Sequence, residues 1–458
     1  MPDAPFPFIQ ALPDPNRVEV METHISWVLL AGGFAYKIKK PVTLPFLDYG
    51  TVEKRRVCCE AELRLNRRFA PELYLDVVEL AGEPAVKMRR FDEALRIDHV
   101  CKRGELTVEQ LSSFARDLVS FQATAAVPQA PTFGAPATIL ADALENFEEL
   151  ERLLPEAAER LTQLKAWTHA EFELHVDDFA RRKAQGCIRE GHGDLHLANL
   201  VLLAGKITPF DGIEFNEDFR CIDVANEIAF TLLDLLDHGE PGLATWLLNE
   251  WLNWNGDYAA LAVLRFYLVY RAMVRAKVAA IRADTAEAAE YLGMAERLST
   301  QTAPTLTITC GLSGCGKTHQ TSRRLASADF LDTVRIRSDV ERKRLFGLAP
   351  DAASGGAIYT EAATVRTYAW LAELAEQALA TGWSVIIDAA FLKRAERDRF
   401  RALAQRCGVP FAILAPTVAP EELARRIATR RNDASEATVA VLEQQLGWFE
   451  PPEADEKV

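Results

Sequence analysis

The 458-residue chain predicts two domains of different class: an α+β domain with a small antiparallel sheet and a helix-rich remainder, then an α/β domain on a parallel sheet. Three observations carry this. The chain is too long for one compact core. Its first hundred residues read as period-two strands around a single helix, followed by mostly helical patterns to about Leu298. From Pro304 onward, strand and helix patterns alternate, the rhythm of a parallel sheet covered on both faces.

Each element follows in order. "HISWVLLAGGFAYKIKK" has apolar runs on both sides of Gly32-Gly33 and predicts a hairpin whose second strand carries Lys37 and Lys39 on one face. "TVEKRRVCCEAELRLNRRF" has helical periodicity, with Pro71 beyond its end. "LYLDVVEL" and "PAVKMRRF" predict two more strands around Gly82-Glu83. Residues 1–105 therefore form a small lobe, and 106–300 a helical lobe interrupted by a glycine-broken segment and the hairpin "NLVLLAGKITPFDG". The stretch from Ser299 to Pro304 loses helical character and marks the boundary between domains 1–300 and 304–458. After it come the strand "TLTITC", a glycine loop, a helix, the strand "TVRIRSD", a long helix from about Ala362 to Thr381, the strand "WSVIIDAAF", a helix, "PFAILAP" and a last helix.

Composition bounds the chemistry. An apolar fraction of 49% and a charged fraction of 26% belong to a folded soluble protein, not a disordered one. The net charge of −14 argues against bulk binding to nucleic acid or an anionic membrane. Acids and bases roughly balance from Pro304 onward, so the excess acid lies before it. That excess suits a cationic substrate or a solubilising surface. The eight cysteines include no C-x-x-C pair, the pattern of reduced thiols. The N-terminus has no basic n-region, and no apolar run approaches spanning length. A cytoplasmic protein without membrane contact is expected.

The strongest motif is "GLSGCGKT", Gly311 to Thr318, which satisfies G-x-x-x-x-G-K-[ST] between a strand and a helix. The backbone N–H groups of a loop built from Gly311, Ser313, Gly314, Cys315 and Gly316 can curl around phosphate oxygens, helped by the following helix N-terminus. Lys317 would reach the β- and γ-phosphates of ATP, and Thr318 would ligate Mg²⁺. Asp388 ends the apolar strand of "WSVIIDAAF" and suits either a Mg²⁺ role or a helix N-cap. The D-x-x-R of "VRIRSDVERKRL" resembles that of small P-loop kinases, polynucleotide 5′-hydroxyl kinases above all. The resemblance implies Asp339 as general base and Arg342 as substrate clamp. "ELARRIATRRNDAS" places Arg426 and Arg430 four apart, beside Arg431. It resembles the arginine-bearing lid of these kinases, although a solvated helix explains it nearly as well.

The segment "GCIREGHGDLHLANLVLLAGKITPFDGIEF" raises a different question. His192 and His196 stand four apart, but Gly191 and Gly193 spoil the helix that a zinc motif needs, and no further ligand sits at the right spacing. Phosphoryl transfer fits better. Asn199 follows Asp194 by the interval of H-R-D-x-x-x-x-N, and a hairpin then delivers Asp211. H-G-D-x-H-x-x-N followed by D-G resembles the signature of aminoglycoside phosphotransferase-like kinases, small-molecule cousins of protein kinases. The resemblance implies a protein-kinase-like fold over about the first 300 residues, with Asp194 as catalytic base, Asn199 and Asp211 as Mg²⁺ ligands, His192 as loop organiser and Asp223 as a structural aspartate. Glu214 follows the metal aspartate as acids often do in that family. "AYKIKK" resembles the lysine-bearing third strand, with Lys37 favoured over Lys39 and either Glu60 or Glu62 as helix partner. "AGGFA" departs from a full glycine-rich loop.

The whole chain resembles bifunctional proteins that fuse such a kinase to a P-loop (AAA-type, polynucleotide-kinase-like) ATP-binding domain. This implies an ATP- and Mg²⁺-dependent phosphotransferase acting on small-molecule hydroxyls. Three rivals stand beside it. One is a polynucleotide 5′-hydroxyl kinase in the second domain, the only part for which nucleic acid is a candidate partner. Another is a non-catalytic ATP-binding switch. The third is a protein kinase, against which the lack of an A-P-E-like segment counts.

Overall fold

The computed structural model describes residues 5–44, 47–300, 303–355, 358–429 and 438–456. It separates into two compact units. One comprises residues 1–114, 120–142 and 179–234; the other comprises 115–119, 143–178 and 235–458. Residues 235–299 therefore share a unit with the P-loop sheet, although their helical character groups them in sequence with what precedes.

The first unit is built on a five-stranded antiparallel sheet: β1 (Glu19–Glu22), β2 (Ser26–Ala31), β3 (Phe34–Lys39), β4 (Tyr74–Leu80) and β5 (Glu83–Arg89), in the order β1-β2-β3-β5-β4. The glycines at 32–33 close the expected hairpin, so Val28 faces Lys37 and Ala31 faces Phe34. β1 was not expected, because "EVME" is charged and its residues are exposed. Helix α1 (Val52–Asn66) starts at Thr51, whose hydroxyl accepts from the Lys54 N–H at 3.2 Å, and it lies against β4 and β5. Its buried face is Arg55, Cys59, Glu62 and Asn66, which recur every three to four residues.

Further along the same unit, β6 (Ile188–Glu190) pairs with β9 (Cys221–Asp223), and β7 (Leu200–Leu203) forms the expected hairpin with β8 (Lys206–Pro209). Helix α2 (Val224–Asp237) begins directly after Asp223. Asp223 accepts two hydrogen bonds from Arg182, at 2.7 and 2.8 Å, and one from the Ala225 N–H at 2.8 Å. Both side chains are buried.

The second unit carries the expected parallel sheet: β10 (Leu306–Thr309), β11 (Thr333–Arg337), β12 (Ser384–Asp388) and β13 (Phe411–Leu414), in the order β11-β12-β10-β13. All three strand pairs are parallel. Helices α3 (Pro241–Asn255), α4 (Leu261–Ile281) and α5 (Thr285–Ser299) precede the sheet. α3 covers the open edge of β11. The Asn249 carboxamide donates to the Thr333 carbonyl at 3.0 Å and accepts from the Arg335 N–H at 2.5 Å. One side chain thus supplies two of the backbone partners that a neighbouring strand would otherwise provide at this edge. Trp383, fully buried, donates its indole N–H to the Leu261 carbonyl at 3.1 Å. No helix among the described residues is long and apolar enough to cross a membrane.

Candidate active sites

The first cluster grows from β3. Two residues apart on one strand, Lys37 and Lys39 present their ammonium groups to the same face. Glu62 of α1 meets both: Lys37 donates to its Oε1 at 3.0 Å and Lys39 to its Oε2 at 2.7 Å. Lys37 also pairs with Asp211, whereas Lys39 pairs with Glu214, which in turn accepts from the Tyr49 hydroxyl. Of the two candidate glutamates, Glu62 is buried against the lysines and Glu60 is exposed. The lysines differ in access. The Lys39 side chain is fully buried, while Lys37 keeps 12% exposure beside the 43%-exposed Asp211.

The electrostatics follow from that packing. Burial works against the ammonium of Lys37, but Asp211 and Glu62 outweigh it and hold its pKa well above the ordinary lysine value. Burial likewise opposes charge on Lys39, and Glu214 and Glu62 overcome it. Burial pushes Glu62 up, yet the two lysines pull it down to about 2.

The segment from His192 to Glu214 is fixed from several sides. His192 is buried; its Nε2 lies 2.8 Å from the Phe210 carbonyl, and its Nδ1 accepts from the Asp194 N–H at 3.3 Å. This is a neutral imidazole with Nε2 protonated, and burial lowers its pKa. Gly193 has φ of +86°, and a Cβ there would stand 2.7 Å from the Phe219 carbonyl oxygen, so only glycine fits. The Glu227 carboxylate accepts from the His192 N–H. Asn199 donates its Nδ2 to the Asp194 carbonyl at 3.0 Å and to Asp194 Oδ2 at 2.9 Å. Asp211 adopts φ of +61°, with its N–H donating to the Tyr74 hydroxyl at 2.9 Å, and the Gly212 N–H donates to Asn66 Oδ1 at 2.8 Å. Tyr49, Asn66, Tyr74 and Glu227 were not singled out in the sequence. The spacing of Asn66 after Glu62 on α1 was the one available signal.

The second cluster sits at the C-terminal end of β10, where the loop from Gly311 leads into helix α6 (Lys317–Ala326). Gly314 has φ of +85°, and a Cβ there would meet the Leu423 carbonyl oxygen at 2.9 Å. Lys317 folds over the loop and donates to the carbonyls of Gly311 and Leu312 at 2.8 and 2.9 Å. Asp388, nearly buried, accepts from the Thr321 hydroxyl at 3.4 Å, with Arg337 4.0 Å away. Ser313, Gly314, Gly316, Lys317, Thr318 and Asp388 share a cleft of about 1340 Å³ with Asp339 and Arg342. Cys315 and Gly311 are buried behind the loop.

Asp339 lies in the first turn of helix α7 (Ser338–Leu345), two residues past the end of β11, whereas the sequence put it on the strand. Arg342 is buried, donates at 3.2 Å to both the Ile358 carbonyl and the Thr364 hydroxyl, and lies 5.1 Å over the Tyr359 ring. Helix α8 (Glu361–Ala380) and the residues just before it are therefore tied to α7. Helix α9 (Arg394–Cys407) follows β12. On helix α10 (Pro420–Thr429), Arg426 lines the cleft and donates to Glu422 at 2.7 Å. Arg430 and Arg431 lie outside the described residues.

Oxygen donors dominate both clusters: the carboxamide of Asn199 with the carboxylate of Asp211, and the hydroxyl of Thr318 with the carboxylate of Asp388. Such sets suit a hard divalent cation of the Mg²⁺ type and not zinc. The Lys37 ammonium already sets a positive charge against Asp211.

Comparison with known proteins gives the following. Residues 306–452 match an AAA domain family. The uncharacterized protein Rv2004c of Mycobacterium tuberculosis (strain ATCC 25618 / H37Rv) is 28% identical over 462 aligned residues, which cover 95% of this chain and 91% of that protein. Among solved structures, the GDP and kanamycin complex of APH(2")-IIia covers 64% of this chain and 96% of its own at 14% identity, with a TM-score of 0.43. Choline kinase from Cryptosporidium parvum Iowa II covers 63% of this chain and 92% of its own at 11% identity, with a TM-score of 0.39.

Proposed function

We propose that the chain is a cytoplasmic, bifunctional ATP-dependent phosphotransferase that transfers γ-phosphoryl groups to hydroxyls of small molecules at two separate sites, one within 1–300 and one within 304–458. The observation that carries the reading is the meeting of Lys37, Glu62 and Asp211 from three separate segments, beside an Asp194 held by Asn199. A charged lysine fixed by a buried glutamate is ready to meet phosphate oxygens. Asp194 keeps 35% of its side chain exposed, and in this reading it accepts the proton of the attacking hydroxyl. His192 holds the Asp194 backbone, and Glu214 holds the segment after Asp211 to β3 through Lys39. Asn199 and Asp211 would hold Mg²⁺, which when bound neutralises charge on the phosphates.

At the second site Lys317 and the loop N–H groups meet the β- and γ-phosphates, and Thr318 and Asp388 would hold the metal. Asp339 takes the acceptor proton. Arg342 acts as clamp while bracing 358–364, and Arg426 and Arg430 neutralise developing charge.

Equilibrium titration with Mg-ATP tests the two-site reading. Two equivalents should bind per chain, one lost in Lys317→Ala and the other in Lys37→Ala. A single equivalent, lost entirely in Lys317→Ala, would overturn it.

A further inference from the structure

The walls of the P-loop cleft away from the phosphate loop divide by chemistry. Lys317 and Arg426 stand at the loop itself, and Arg337 lies 4.0 Å from Asp388. Beyond them, among the described residues, the charged lining is two cations, Arg342 and Lys393, and three carboxylates, Asp339, Glu361 and Glu396. Arg342 already serves the Ile358 carbonyl and Thr364. A polyanion needs several of its charges neutralised at once, and with the loop cations committed to the nucleotide phosphates these described side chains offer it two cations beside three carboxylates.

Helix α11 (Val439–Trp448) lines the same cleft. Val441, Gln445 and Trp448 recur at helical spacing and turn toward the cleft. Trp448 is 55% exposed, whereas the Tyr359 ring, also in the lining, carries the Arg342 guanidinium over it. A large aromatic ring left open to water inside a concave site is what an apolar ligand face covers. Gln445 Oε1 accepts from the Ser313 N–H at 2.8 Å, so this aromatic wall is tied directly to the phosphate loop. Next to it Gln444 supplies a second carboxamide, and such planar amides and carboxylates pair with neighbouring hydroxyls.

We propose that the acceptor at the second site is an uncharged or cationic polyhydroxylated small molecule, a sugar or cyclic polyol, whose flat C–H face stacks on Trp448 while its hydroxyls meet the carboxamides and carboxylates. This rests on reading the second site as a kinase. In the step, the acceptor oxygen bonds to the γ-phosphorus, its proton passes to Asp339, and the bond to the β–γ bridging oxygen breaks with its electron pair leaving on ADP.

The test uses the full chain carrying Asp194→Asn, so that the first site is silent. ADP release is followed at saturating Mg-ATP with D-glucose, D-ribose, D-glucosamine and myo-inositol as probes. Ribose 5-phosphate and a short 5′-hydroxyl oligothymidylate serve as anionic controls. At least one uncharged or cationic probe should accelerate release and the anions should not. Trp448→Ala should raise that probe's KM by about tenfold while Trp448→Phe restores it, with the KM for ATP unchanged within about twofold. Acceleration by an anionic control, by none of the probes, or with a KM indifferent to Trp448→Ala overturns the proposal. ATP binding that survives and depends on Lys317 leaves the nucleotide-site reading intact in those cases. Absence of that binding overturns both.

Discussion

Lys37 and Asp211, 174 positions apart in the chain, form an ion pair, and the same ammonium donates to Glu62. The pair joins the third strand of the sheet to the residue that follows the β7–β8 hairpin. Lys39, two residues on, makes the parallel link to Glu214. The two lysines thus divide the work: the partly exposed one meets the more exposed carboxylate of Asp211, and the buried one ties down Glu214 in the segment that follows.

Lys37→Ala should therefore cost activity more than stability. Glu62 keeps Lys39 as partner, so the fold persists. First-site kcat/KM for ATP should fall by about 10²- to 10³-fold, the scale of losing one preorganised charge donor.

Lys39→Met should do the reverse. It strands Glu62 and Glu214, both nearly buried, without one of their cations. Denaturant unfolding should show a loss of about 3–5 kcal/mol. Combining it with Glu214→Gln should recover part of that loss, because one uncompensated carboxylate is removed.

His192 sets a pH dependence of definite sign. Burial lowers its pKa from 6.5, so its stabilisation is present above that value and is lost as pH falls below it. The cause is local: a second ring proton on Nδ1 would face the Asp194 N–H that now donates to it. The carboxylate of Glu62, depressed to about 2, keeps its full contribution above about 4.5 and gives it up progressively only as pH falls from there toward 2. The unfolding free energy of this unit should therefore begin to fall as pH drops from about 6.5 toward 4.5. His192→Asn should flatten that segment of the profile in urea titrations at stepped pH.

Asn249→Leu should weaken the P-loop unit. It leaves the Thr333 carbonyl and the Arg335 N–H without their partner, at about 1–3 kcal/mol for each buried group. By the same argument a fragment of residues 304–458 should unfold at lower urea than one of residues 235–458.

Much of this was legible in the sequence where chemistry is local. The P-loop fits a contiguous motif, and Asp194, Asn199 and Asp211 follow a fixed interval and a hairpin. The lysine–glutamate pairing was not legible, because Glu60 and Glu62 sit on one helix and only packing on β4 and β5 buries the second. The buried face of α1 mixes Cys59 and Leu65 with Arg55, Glu62 and Asn66, so its periodicity marks a helix without showing which glutamate is buried. Asn249 gives no signal at all: its role exists only because β11 ends a sheet whose strands are distant in sequence. Asp339 and Arg342 line one cleft, yet the D-x-x-R spacing could not show that Arg342 braces 358–364.

The most direct measurement is phosphoryl transfer from γ-labelled Mg-ATP into a metabolite extract by wild type, Asp194→Asn and Lys317→Ala, with products identified by mass. The account predicts labelled small molecules, one set lost with each variant. Label on no small molecule, or products that survive both substitutions, would contradict it.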